Sequence, residues 1–167
     1  ISGSKSINHI LFIDEYAYLS CGFGIVVVNM DKKEVKDTYF IGDLGSIIQV
    51  NQTVLDGDYL YAATNEGIYV ADFTNPNLVD YSNWTRITEI PNYTSPVNSM
   101  FINNGNFLIN QVNETLNDVI YSYTVGVWSI CNNEYNSIRK IRASESSVYI
   151  VTDKNVLIYN QNFVFQD

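Results

Sequence analysis

The sequence predicts an all-β chain. It reads as a β-propeller fragment of about four consecutive four-stranded antiparallel blades of ~43 residues, an open arc of a larger ring. Three observations carry this. Thirteen tyrosines and eight phenylalanines stand among many valines and isoleucines, a strand-forming composition. No segment has a long apolar stripe at helical spacing. The chain also repeats itself in register. Ile7-Asn8-His9 recurs as Val50-Asn51-Gln52, Glu15-Tyr16-Ala17-Tyr18 as Asp58-Tyr59-Leu60-Tyr61, and Gly24-Ile25-Val26-Val27 as Gly67-Ile68-Tyr69-Val70, all offset by 43 residues.

Each unit reads as four short strands. In the first these are Ile7–Ile13, Tyr16–Cys21, Gly24–Asn29 and 34–40. Asp14-Glu15 joins the first two, with counterparts at Asp56-Gly57 and Asn104-Gly105, dipeptides suited to tight hairpins because both central positions take positive φ. A second turn lies at Gly22-Phe23-Gly24 and at Asn65-Glu66-Gly67. The third strand, Ile25-Val26-Val27-Val28, is apolar on both faces, as expected of a sheet packed between two others. A third unit opens at Val97-Asn98-Ser99 and carries a longer connection at 113–117; a fourth opens at Ile138-Arg139-Lys140. Trp84 and Trp128 fall late in units two and three. The approximate blades are 1–43, 44–90, 91–134 and 135–167 of one propeller region, which is expected to be a piece of a longer protein. A β-sandwich would space strands evenly but would not impose the 43-residue register. Four short blades need a steep inward tilt to close, so edges at blades one and four are expected to be exposed and to invite self-association.

The charge excludes one class of partner. A net charge of −9 repels phosphate backbones, so nucleic acid is not expected. Arg139, Lys140 and Arg142 form the one small basic spot. No apolar run is long enough to span a membrane. Cys21 and Cys131 read as buried free thiols, with a bridge between them left open by their spacing.

"ISGSKSINHILF" followed by "AYLSCGFGIVVVNMDKKEVKDTYFIGD" closely resembles an inner blade of the PorZ-like β-propeller proteins of Bacteroidetes. Thr64-Asn65-Glu66-Gly67-Ile68 resembles the Thr-x-x-Gly-aliphatic core of two-component-regulator propeller repeats. The first unit departs from that form with Cys21 at the threonine position, and the fourth has Thr152 but Asn155 at the glycine position. The PorZ-like resemblance implies a periplasmic or cell-surface module associated with type IX secretion, which meets protein or glycan partners such as lipopolysaccharide. The second resemblance implies the alternative, a periplasmic propeller that senses glycans for a hybrid two-component regulator. Neither supplies a catalytic motif.

The residues themselves offer no catalytic set. Gly22-Phe23-Gly24 lacks the third glycine of a dinucleotide fingerprint, since Val27 holds that place and a strand follows instead of a helix. Pairing around Asp14-Glu15 sets His9, the sole histidine, near Ser20, with Cys21 on the opposite face, so a Cys–His nucleophile is not expected. One histidine and two cysteines are too few for a His/Cys metal cluster, and aspartates in turns lack calcium-loop spacing. The expectation is therefore no enzyme, no catalytic residue, no metal and no cofactor. Polar residues do recur where the first strand of each unit begins, the strand expected to line the channel. Asn8, His9, Asn51, Gln52, Asn98 and Arg139 are the candidate ligand-binding residues at one mouth of the ring.

Overall fold

A computed structural model describes residues 4–112, 118–132, 137–144 and 146–166. The connection at 113–117 and the first three residues of the PorZ-like stretch lie outside this set. Among the described residues, fifteen strands form four antiparallel meanders, ordered β1-β2-β3-β4, β5-β6-β7-β8, β9-β10-β11-β12 and β13-β14-β15. The first holds β1 (Ile7–Ile13), β2 (Tyr16–Cys21), β3 (Gly24–Asn29) and β4 (Glu34–Tyr39). The second holds β5 (Val50–Asp56), β6 (Tyr59–Thr64), β7 (Gly67–Asp72) and a short β8 (Trp84–Arg86). The third holds β9 (Val97–Asn103), β10 (Asn106–Val112), β11 (Asp118–Thr124) and β12 (Val127–Asn132). The fourth holds β13 (Ile138–Ala143), β14 (Ser147–Thr152) and β15 (Val156–Asn160). Its outermost position is reduced to a single bridge between Tyr159 and Phe165. The chain turns sharply after β15, where the Asn160 side chain accepts hydrogen bonds from the amides of Asn162 and Val164.

Period-two alternation splits each sheet between two neighbours. In the second blade Leu60, Ala62, Tyr69 and Ala71 pack against Tyr18, Ile25, Val27 and Tyr39 of the first. The intervening Tyr61, Ala63 and Ile68 pack against Met100, Phe107 and Ile109 of the third. Leu108 and Ile120, from the opposite face of the third blade, meet Ile141, Val148 and Ile150 of the fourth. The core is thus three layers, one at each blade boundary. Full burial of one such aliphatic side chain is worth about 1.5–3 kcal/mol, so stacking, not any single sheet, holds the arc together. Among the described residues nothing covers the outer face of the first blade in this way: Phe12 is 64% and Val35 61% exposed there.

Two turn devices repeat. Ile13 pairs with Tyr16 around Asp14-Glu15, and Asn103 with Asn106 around Asn104-Gly105. The second hairpin differs from the sequence expectation by one residue. Asp56 pairs with Tyr59, so Gly57-Asp58 is the loop. Only the Asn104-Gly105 pair has positive φ at both positions; in the other two loops Asp14 and Gly57 alone do. Asp56 ends its strand because its carboxylate reaches the next blade, accepting from the amides of Asn104 at 3.0 Å and Gly105 at 2.8 Å.

The Thr-x-x-Gly form has an equally local cause. Thr64 Oγ1 donates to the Gly67 carbonyl and accepts from the Glu66 amide, closing the β6–β7 turn. Thr152 does the same with Asn155 and Lys154 in the fourth blade. Gly67 sits at φ 99°, where a Cβ would lie 1.9 Å from the Tyr93 carbonyl oxygen, and Gly24 meets Tyr39 in the same way at 2.3 Å. Turn geometry alone therefore does not explain Gly24; close backbone approach excludes any side chain.

Candidate functional site

The first strands β1, β5, β9 and β13 stand side by side at the centre, each next to its successor. Every one of them is bulged at the same place. Pairing skips from Ile7 to His9, from Val50 to Gln52, from Val97 to Ser99 and from Ile138 to Lys140. The four skipped residues are Asn8, Asn51, Asn98 and Arg139. A bulge leaves its extra residue unpaired and re-aims the side chain. Asn8 Nδ2 donates to the Val50 carbonyl at 2.7 Å, and Asn51 Nδ2 to the Val97 carbonyl at 2.9 Å. The same stitch thus crosses two successive blade boundaries. Asn98 points to solvent, and Arg139 is exposed and paired with Asp153.

The residue after each bulge turns inward. Gln52 is buried at the second boundary. Its Nε2 donates to the Met100 carbonyl at 2.9 Å, while Oε1 accepts from Ser99 Oγ at 2.8 Å and from the Met100 amide at 3.1 Å. Ser99 Oγ in turn accepts from the Ile141 amide at 3.0 Å, extending the chain of bonds into the fourth blade. His9 is half-buried at the equivalent position of the first blade, opposite Ser20 as the hairpin register predicts. Ser20 nevertheless bonds to Thr53, at 3.3 Å, and not to the imidazole.

His9, Gln52, Met100 and Arg142 line a recess of about 290 Å³ that gathers all four blades. His9 Nδ1 is buried with no hydrogen-bond partner among the described residues. Burial, reinforced by the positive charges of Lys140 and Arg142, pushes the imidazole down to about 4, so it is neutral at pH 7. Lys140 is itself pushed down, by burial and then by Arg142. The recess is therefore a locally cationic spot in an acidic chain. Of the six sequence candidates, His9 and Gln52 line it; Asn8 and Asn51 brace the adjoining strands; Asn98 and Arg139 lie outside it. Arg142 lines it without having been among the candidates. The basic spot Arg139–Lys140–Arg142 was the available signal, but which of its members turns inward depends on the bulge.

The thiols do not add a reactive group. Both cysteines are free, and burial pushes each thiol up, away from thiolate. No group of three or more His, Cys, Asp or Glu that could hold a metal occurs among the described residues. No helix among them is long and apolar enough to cross a membrane. A second concavity, lined by aromatic side chains, opens between the second and third blades.

Radially stacked antiparallel meanders, three of four strands and one of three, with bulged inner strands define a β-propeller module. Residues 1–85 match the family model described as the TSS9, PorZ, N-terminal beta-propeller domain, and the chain belongs to that family. Among solved structures it is similar to PorZ, an essential surface component of the type-IX secretion system of Porphyromonas gingivalis, with 18% identity and a TM-score of 0.74 over 97% of this chain. It is also similar to the extracellular domain of a protein described as a hybrid two component system of B. thetaiotaomicron, with 16% identity and a TM-score of 0.69 over 98% of the chain. A third similar structure is an auxiliary nutrient binding protein from Bacteroides thetaiotaomicron, with 14% identity and a TM-score of 0.67 over 98% of the chain. The chain spans 20%, 21% and 41% of these three proteins, respectively. No curated protein matches it.

Proposed function

We propose that this chain is a non-enzymatic interaction propeller of a Bacteroidetes cell-envelope protein, facing the periplasm or the cell surface and assisting type IX secretion or surface attachment. The observation that carries this reading is the family match over 1–85, together with inner strands whose Asn8, Asn51 and Gln52 side chains are spent on neighbouring blades. The recess at His9, Gln52 and Arg142 is the proposed contact point, and its positive potential suits an anionic group of a protein or a lipopolysaccharide. Asn98, exposed at the bulge of the third blade, is a position for a photocrosslinker in the natural host. Adducts with lipopolysaccharide or with proteins of the secretion machinery are expected; adducts with neither overturn the proposal.

The similarity to a two-component extracellular domain over 98% of the chain favours a second reading, a propeller that senses glycans. Calorimetric titration with free oligosaccharides separates the two. Saturable heat that is lost in Arg142→Ala supports sensing, and no heat leaves the first reading in place.

A further inference from the structure

The concavity between the second and third blades has a volume of about 330 Å³ and is walled by Tyr59, Tyr61, Phe107, Tyr123 and Trp128, with Glu89 also lining it. The rings do not form one flat platform. Tyr61 meets Phe107 at 5.2 Å and 86°, Phe107 meets Tyr123 at 5.7 Å and 84°, and Tyr123 meets Trp128 at 5.0 Å and 44°. Tyr61 and Tyr123 each pack edge-to-face with Phe107, which is only 6% exposed and forms the floor, so a cation entering the groove would meet the less buried rings of Tyr59, Tyr61, Tyr123 and Trp128 at its walls. Among the described residues, no lysine or arginine lines the groove. The nearest arginine in sequence, Arg86, is already held by Asp43 at 2.8 Å and Tyr69 Oη at 2.9 Å.

We infer that this groove takes the side chain of a lysine on a basic partner polypeptide, its ammonium facing the aromatic walls and Glu89. Charge complementarity favours this occupant. The chain carries a net charge of −9, and besides Glu89 the Asp56 carboxylate acts on Tyr61, whose phenol is pushed up by burial and then by Asp56. A polypeptide also accounts for the flanks. Tyr59 is 50% exposed at one side, and Ile130, on the same face of β12 as Trp128, is 57% exposed at the other. The inference is independent of the reading of the central recess.

The test is an NMR titration of the chain, following the Trp128 indole, with a glycine peptide carrying one central lysine. The same peptide with norleucine, which keeps the apolar stem and removes the charge, is the control, and cellohexaose is a neutral alternative. The lysine peptide is expected to give a saturable shift with a Kd of about 1 mM. Glu89→Gln and Tyr59→Ala, both at exposed positions, each weaken it about 2- to 30-fold. The inference is overturned if norleucine binds as tightly as lysine, if cellohexaose shifts Trp128 and lysine does not, or if no saturable shift develops by about 10 mM.

Discussion

Gln52 offers the sharpest test of how the blades are held in register. Its carboxamide makes three hydrogen bonds across one boundary, and the residue is only 5% exposed. Gln52→Ala removes the partner of both the Met100 amide and the Met100 carbonyl, the latter at 2.9 Å. A buried backbone group left unsatisfied costs about 1–3 kcal/mol. Two such groups, with some relief from water entering through the recess, put the loss at about 2–4 kcal/mol. For a chain of this size each kcal/mol lowers Tm by about 2–4 °C, so the midpoint should fall by about 4–16 °C. Thermal and urea unfolding followed by circular dichroism measure it. Asn98→Ala, at the exposed member of the same repeated position, is the control and should stay within about 0.5 kcal/mol. If Gln52→Ala is no more destabilising than Asn98→Ala, the cross-blade role of these bonds is refuted.

Three further outcomes are expected. Gly67→Ala should cost about 2–5 kcal/mol, since it combines left-handed backbone strain with a clash against the Tyr93 carbonyl; Gly57→Ala, whose Cβ would meet nothing within 4 Å, should cost about 1–2 kcal/mol. Parallel urea titrations that gave equal losses would contradict the close-approach argument. His9 has a folded pKa near 4 against 6.5 unfolded, so the unfolded state binds the extra proton and stability declines as pH falls from about 6.5 to 4. Because the ring is only half-buried the loss is about 1–2 kcal/mol, and His9→Gln should flatten that part of a pH–stability curve. Phe12→Ser, on the uncovered face of the first blade, should reduce concentration-dependent association in sedimentation while leaving stability nearly unchanged.

Much of the fold is legible in the sequence because its determinants are local. The strands Ile7–Ile13, Tyr16–Cys21 and Gly24–Asn29 follow from alternation and turn residues, and the His9–Ser20 register follows from a two-residue loop. The loop at Gly57-Asp58 was displaced by one because Asp56 answers to Asn104 and Gly105 in another blade, a contact that no local pattern encodes. The candidate site divides in the same way. Recurrent polar residues at the start of each first strand are visible at offsets near 43, yet their common cause, a bulge, appears only in the pairing. Which neighbour each side chain reaches depends on the curvature of the arc. Arg142 was missed for that reason, and the aromatic groove because Tyr59, Phe107 and Trp128 come from three separate strands.

The central claim is that side chains at and just after the bulges bind the inner strands of successive blades to one another. Amide hydrogen exchange in the native state measures this most directly. The Met100 and Ile141 amides, bonded to Gln52 Oε1 and Ser99 Oγ, should be as protected as the strand core, and Ser99→Ala should release Ile141 selectively. Exchange of both amides at the rate of exposed loops in the unaltered chain would contradict the account.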